Sequence, residues 1–268
     1  MSFTRAEMLA TAERSPSAAG ARDRAAWVGL FSADARVEDP VGSQPHQGRL
    51  AIGRFYDTFI GPRAVRFHPD VDIVAGATVI RDGILEASMT SSLILRVPIY
   101  IRYDLQDDGG ELKIAALSAF WELPAMVGQF LRGGIGAVPA GLRLSKLLLT
   151  NQGIVGTLGF LNGFAGVRSG GKGVFTRFLD DACAGDEVGM RRRFAPQVHI
   201  SSGDDLALSA SDLLNHLAGA RWRKLIGSGR AVVAGIERAG QRSVVVGEVG
   251  SKPVAITRIR VFAESAQF

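Results

Sequence analysis

The chain has 268 residues, 47% of them hydrophobic and 21% charged. That is a globular composition long enough for one large or two small domains, and it excludes a disordered, collagenous or coiled-coil protein. The lone cysteine, Cys183, excludes a disulfide scaffold, and the charged N-terminal stretch lacks the apolar core of a secretory signal, so a cytoplasmic protein is expected. Helical sequence opens the chain at residues 3–14, and Ser15-Pro16 and Gly20 are expected to break it. A second helix is expected over 21–31, with Trp27, Leu30 and Phe31 on one face. A short strand, ARVED (35–39), leads into a loop. A third helix over 49–60 then places Ile52, Phe55, Tyr56 and Phe59 on one side. After Pro62 the period changes to that of strands, over 63–76, 77–97, 99–106 and 111–123, with turn signals at Asp82-Gly83 and at Asp107-Asp108-Gly109-Gly110. Helices followed by a meander make an α+β pattern.

The middle of the chain differs in charge. From Leu123 to Leu179 there is no Asp or Glu, while Arg132, Arg143, Lys146, Arg168, Lys172 and Arg177 supply six positive charges. The formal net charge is +5, so the remainder of the chain carries one net negative charge. These cations are spread through Gly- and Leu-rich sequence without interleaved aromatics, which argues against a nucleic-acid partner. The 21 uncharged residues between Lys146 and Arg168 match a bilayer span in length, but polar residues and five glycines interrupt them. Three readings stay open: a membrane span, helices lying on the inner face of a membrane, or an apolar linker packed on its flanking domains or folded over a pocket.

The last part repeats the first in order. Helical sequence over 174–194, broken near Gly185, leads to a strand at 197–201, a helix at 209–219 and strands at 231–240, 242–250 and 253–264. The expected organisation is a first domain over 1–123, a linker over 124–171 and a second, degenerate copy over 172–268. Such a duplication suits an intrachain pseudo-dimer; a homodimer is the other possibility.

Residues 34–48, DARVEDPVGSQPHQG, together with the Phe55-Tyr56 pair and Trp121 near the end of the last strand, resemble the ketosteroid isomerase-like (SnoaL-like) family. The likeness spans about residues 20–122; the last part is similar only in the order of its elements. The resemblance implies two tandem cone-shaped nuclear-transport-factor-2-like domains, each with helices packed on a curved antiparallel sheet. It further implies proton transfer on a hydrophobic, steroid- or isoprenoid-type ligand without metal or cofactor. The Asp before Pro, here Asp39, would be the general base, since a carboxylate in an apolar pocket has its charged form disfavoured. The implied pocket wall is Trp27, Phe31, Phe55, Phe59, Met89, Tyr103 and Trp121. The family's oxyanion hole uses a Tyr and a protonated Asp. Counting from the motif and from the Asp107–Gly110 turn, those positions fall near Ser15 and at Ile101. Neither is an equivalent donor, so Tyr56, then Tyr103, then Tyr100 rank as surrogates. The missing donors leave a second reading open: a non-catalytic lipid or sterol carrier that touches membranes through 124–171.

Other signals carry little. Gly166–Lys172 fits a phosphate-loop spacing but is followed by Gly173 where a hydroxyl is needed. The histidines, His46, His68, His199 and His216, lack metal-ligand spacing.

Overall fold

The computed structural model describes residues 3–90, 93–132 and 169–264. Two helices open the chain, α1 (Arg5–Ala21) and α2 (Arg24–Gly29), and a third, α3 (Gly48–Phe55), follows the first two strands and runs into a π turn at Tyr56–Ile60. The first sheet contains β1 (Phe31–Glu38), β2 (His46–Gln47), β3 (Ala64–Ala75), β4 (Thr78–Ser88), β5 (Ile94–Asp108) and β6 (Glu111–Phe120). Its order is β2-β1-β6-β5-β4-β3, with β1 parallel to β6 and the other pairs antiparallel. A helix α4 (Leu123–Arg132) follows.

The second half has α5 (Ser169–Cys183), α6 (Glu187–Arg191) and α7 (Ala210–Leu217), with strands β7 (Phe194–Ser202), β8 (Leu206–Ala207), β9 (Arg221–Ser228), β10 (Ala231–Arg238), β11 (Gln241–Val249) and β12 (Ile256–Ala263). Its sheet order, β8-β7-β12-β11-β10-β9, reproduces the first strand for strand, including the single parallel pair, β7 with β12. The fold is two tandem α+β domains on mixed six-stranded sheets.

Three local expectations are corrected. First, Ser15-Pro16 and Gly20 do not break α1. A capping box at Thr4 and Glu7 starts the helix, and its buried face, Met8, Thr11, Ala12, Ser15 and Ala19, packs on the sheet. That packing outweighs the single hydrogen bond lost at Pro16. Second, Phe31 is not the end of a helix. It begins β1, because α2 already stops at Gly29. Third, Asp82-Gly83 is no turn, and β4 runs straight through it. Asp82 is turned toward the second domain, where Lys224 meets it, and a Cβ on Gly83 would collide with His68 O and stand 2.6 Å from the Phe67 ring. The glycine makes room for the backbone and a ring of the neighbouring strand. The Asp107–Gly110 turn does form, with Gly109 and Gly110 at positive φ.

Strand alternation gives the first sheet two faces. Ile99, Ile101 and Tyr103 of β5 face α1 and α2, while Tyr100 and Arg102 face the second domain. Between the domains lies a shared core containing Ile73, Ile80, Tyr100 and Phe120 from one side and Ile226, Val233, Val246 and Phe262 from the other. Polar ties surround it. Lys224 Nζ contacts Asp82 and donates to Ile99 O at 2.9 Å, Tyr100 Oη donates to Lys224 O at 2.9 Å, and Arg102 pairs with Asp204.

The segment read as a linker starts inside the first domain. Leu123, Met126, Val127 and Phe130 recur at helical spacing along α4 and pack on the first core, and Gln129 bonds both backbone groups of Arg96. Residues 169–171 begin α5, and residues 133–168 lie outside the described residues, and so do the readings that rest on them. Among the described residues no helix is long and apolar enough to cross a membrane.

Candidate functional site

Between α1, α2, α3 and the inner face of the first sheet lies a cavity of about 170 Å³, walled almost wholly by apolar side chains. A loop carboxylate, the Trp121 indole just past β6 and one sheet residue, Tyr103, give it chemistry. Asp39 follows β1 directly, in a loop that begins with a cis Asp39-Pro40 bond. Val41 N donates to Ala119 O at 2.8 Å, and Gly42 N donates to Glu38 Oε1 at 2.8 Å, which fixes the loop against β6. Asp39 therefore lines the cavity. Trp121 Nε1 donates to its Oδ1 at 2.5 Å, leaving the second carboxylate oxygen for other work. Burial pushes the Asp39 pKa up to about 6, and the Trp121 hydrogen bond pulls it partly back.

Tyr103 lies in the same cavity, from β5. Its pKa is pushed up to about 12, chiefly by burial, so it stays a proton donor at neutral pH. Ser15 belongs to the same wall, and Trp27 Nε1 donates to its Oγ at 3.2 Å. The protonated Tyr103 hydroxyl can donate to an acceptor in the cavity.

The other expected residues divide. Trp27, Phe55, Phe59, Met89 and Trp121 line the cavity, and so do Ser15 and Ile101. Phe31 is not among the lining residues; it is fully buried behind Trp27, with ring centroids 4.7 Å apart. Tyr56, ranked first among the surrogate donors, is also absent from the lining. It packs against Trp27 at 5.5 Å with its hydroxyl buried and unpartnered. Tyr100 points to the opposite face, at the domain interface. Of the three ranked tyrosines, the second, Tyr103, is the one that lines the cavity with Asp39. His46 sits on β2 against the Phe55 ring at 5.0 Å, where burial lowers its pKa.

Two features escaped the sequence reading. Met126 of α4 lines the cavity although it lies in the expected linker; the Leu123, Met126, Val127, Phe130 spacing was the available signal. The second domain also supports the Asp39 loop. Ser228 Oγ donates to Val41 O at 2.9 Å, and Gly229 sits against Gly42 so closely that a Cβ on it would lie 2.6 Å from the Gly42 Cα. Glu122, next to Trp121, accepts from Gly227 N at 3.0 Å and from Lys172. No local signal announces contacts between residues 187 positions apart.

The second domain repeats the architecture without these residues. After β7 comes Gly203 where Asp39 follows β1, and after β12 comes Glu264 where Trp121 follows β6. Its interior holds Phe175 and Phe178, fully buried and 5.1 Å apart, with Gly247 leaving space for the Phe175 ring.

Residues 7–95 match the family model of the Nuclear transport factor 2 (NTF2) domain, and the first domain has an NTF2-like fold. Among solved structures, the chain is similar to a Delta 5-3-ketosteroid isomerase from Mycobacterium sp., with 26% identity over 45% of this chain and 96% of that one (TM-score 0.41). It is similar to RV0760c from Mycobacterium tuberculosis in complex with estradiol-17beta-hemisuccinate, with 20% identity over 44% and 95% (TM-score 0.40). An LEH-like epoxide hydrolase from M. tuberculosis matches at 16% identity over 50% and 96% (TM-score 0.42).

Proposed function

We propose that the first domain is an isomerase-like enzyme that binds a hydrophobic, ketone-bearing ligand of steroid or isoprenoid type, with Asp39 as the base. The observation that carries this reading is a carboxyl group inside an apolar cavity, held at one oxygen by Trp121 and shifted to a pKa of about 6. A base poised near neutral pH is what proton abstraction beside a carbonyl requires. In this mechanism the free Asp39 oxygen takes a proton from the carbon next to the ketone. The C–H electron pair moves into the conjugated enolate, and negative charge gathers on the ketone oxygen. Tyr103 donates a hydrogen bond there. Asp39 then returns the proton to the far allylic carbon, so the double bond moves and nothing is consumed. Because the carboxyl loses no hydrogen bond from Trp121 during the transfer, it stays oriented for both halves of the reaction.

A second reading, ligand carriage without chemistry, is favoured by one feature. Ile101 occupies the wall where the resemblance implies a second oxyanion donor, and its side chain can donate nothing.

One experiment separates the two. A Δ5-3-ketosteroid is offered to the protein and the conjugated enone followed by absorbance. Turnover is expected, rising with pH through about 6 as Asp39 ionises. Asp39→Asn should abolish it, and Tyr103→Phe should lower it by roughly 100–1000-fold, the loss typical of an oxyanion donor. Steroid binding with no turnover above the Asp39→Asn background establishes the carrier reading instead.

A further inference from the structure

Behind the apolar cavity lies a second, polar space of about 500 Å³, between α1 and the edge strand β3. Pro16, Val65 and Phe67 belong to the walls of both, so the two spaces share a wall in which the Phe67 ring stands. Under that ring, 5.1 Å from its centroid, lies the guanidinium of Arg81, which also lines the polar cleft. Arg81 is directly cross-strand from Ile101, a wall residue of the cavity, and is 1% exposed. Its Nε and Nη2 bind the two oxygens of Asp72 at 2.7 and 3.2 Å, and Glu13 lies 3.8 Å from Nη2. Its Nη1 is buried and has no hydrogen-bond partner. A buried guanidinium N–H without an acceptor is costly, and an acceptor arriving from the cleft or the cavity would remove that cost.

The surrounding charges say what kind of acceptor fits. Asp72 already balances the Arg81 charge, and Glu13 lies beside the same guanidinium, while Glu86 is paired with Arg96. A carboxylate or phosphate at Arg81 would enter beside two carboxylates that share one guanidinium. An uncharged oxygen takes the hydrogen bond without that repulsion.

We propose that Arg81 Nη1 is a second anchoring point for the cavity ligand, and that it holds a neutral hydroxyl or carbonyl oxygen at the end remote from Asp39, with Phe67 as the partition that turns aside. This rests on the reading of the cavity as a ligand site and adds the chemistry of the ligand's other end: an apolar body with an uncharged polar terminus.

Displacement of the neutral dye Nile red by octan-1-ol, octane and octanoate tests it. The intact protein should bind octan-1-ol at least tenfold more tightly than either octane or octanoate. Arg81→Met/Asp72→Asn, which removes the ion pair as a unit so that no buried charge is stranded, should bring octan-1-ol to within twofold of octane while octane binding stays the same. Phe67→Trp, which thickens the partition and keeps the ion pair, should also bring octan-1-ol to within twofold of octane in the same variant, whatever it does to octane itself, and serves if the double variant does not fold. Equal binding of octane and octan-1-ol by the intact protein, a preference for octanoate, or a hydroxyl preference that survives both substitutions overturns the inference and leaves the cavity reading standing. No displacement of the dye by any of the three overturns both.

Discussion

Asp39 stores a cost that shows in stability. Its folded pKa of about 6 lies above the ordinary carboxylate value of 3.8, so the folded state binds a proton more tightly than the unfolded chain does. Stability from this group is therefore lost as pH rises from about 4 to about 6, and at neutral pH the ionised carboxylate costs about 3 kcal/mol. Asp39→Asn should accordingly raise the melting temperature at pH 8 and leave it nearly unchanged at pH 4, as thermal denaturation at the two pH values reads directly. An equal shift at both would mean that the carboxylate is not desolvated. The same residue shows what was legible beforehand. Asp39 and most of the aromatic wall could be named from the sequence because they sit in consecutive motif residues or at helical spacing. Tyr103 could be placed on the Ile101 face by strand alternation alone. Its advantage over Tyr56 was not legible, because it depends on which hydroxyl reaches the cavity once the helices and the sheet pack around Trp27.

At the scale of elements, the turn between β9 and β10 acts on a loop of the other domain. Gly229 has φ +57, a conformation that favours glycine, and it packs on the Gly42 backbone just past Asp39. Gly229→Ala should destabilise the protein by about 1–3 kcal/mol, the usual cost of overpacking a tight contact. It should also lower turnover, because relief comes by moving the 39–42 loop. Both effects are read from thermal melts and initial rates on the ketosteroid. A stability loss with unchanged turnover would show that the loop does not depend on its support. Element types were largely legible, and their ends less so. Pro16 and Asp82-Gly83 are strong local breakers, yet packing under α1 and the Phe67 ring beside Gly83 override them. The duplication was visible as an order of elements, and it reappears as identical strand order with a parallel pair in each sheet.

At the scale of the molecule, the second domain supplies a partner surface within the same chain. The shared core between the sheets is apolar at its centre and is closed by the Lys224–Asp82 and Arg102–Asp204 pairs. Asp82 is 5% exposed, and its pKa is raised by burial against the pull of Lys224. Removing the lysine strands a buried carboxylate. Lys224→Met should therefore cost about 3–5 kcal/mol, a larger loss than trimming an exposed pair such as Arg24–Asp57. Denaturant titrations of the two variants compare the losses. An effect below about 1 kcal/mol for Lys224→Met, the range of surface pairs, would contradict a desolvated interface. No sequence pattern revealed this pairing, since its partners lie 142 positions apart and neither belongs to a motif.

The measurement that bears most directly on a proton-transferring first domain is the ionisation of Asp39 itself, followed by carboxyl carbon NMR on protein labelled at aspartate, with Asp39→Asn to assign the signal. A resonance titrating at about pH 6 that disappears in Asp39→Asn is the expected result. An Asp39 resonance titrating near the ordinary value of 3.8 would contradict a buried base and return the carboxyl group to solvent.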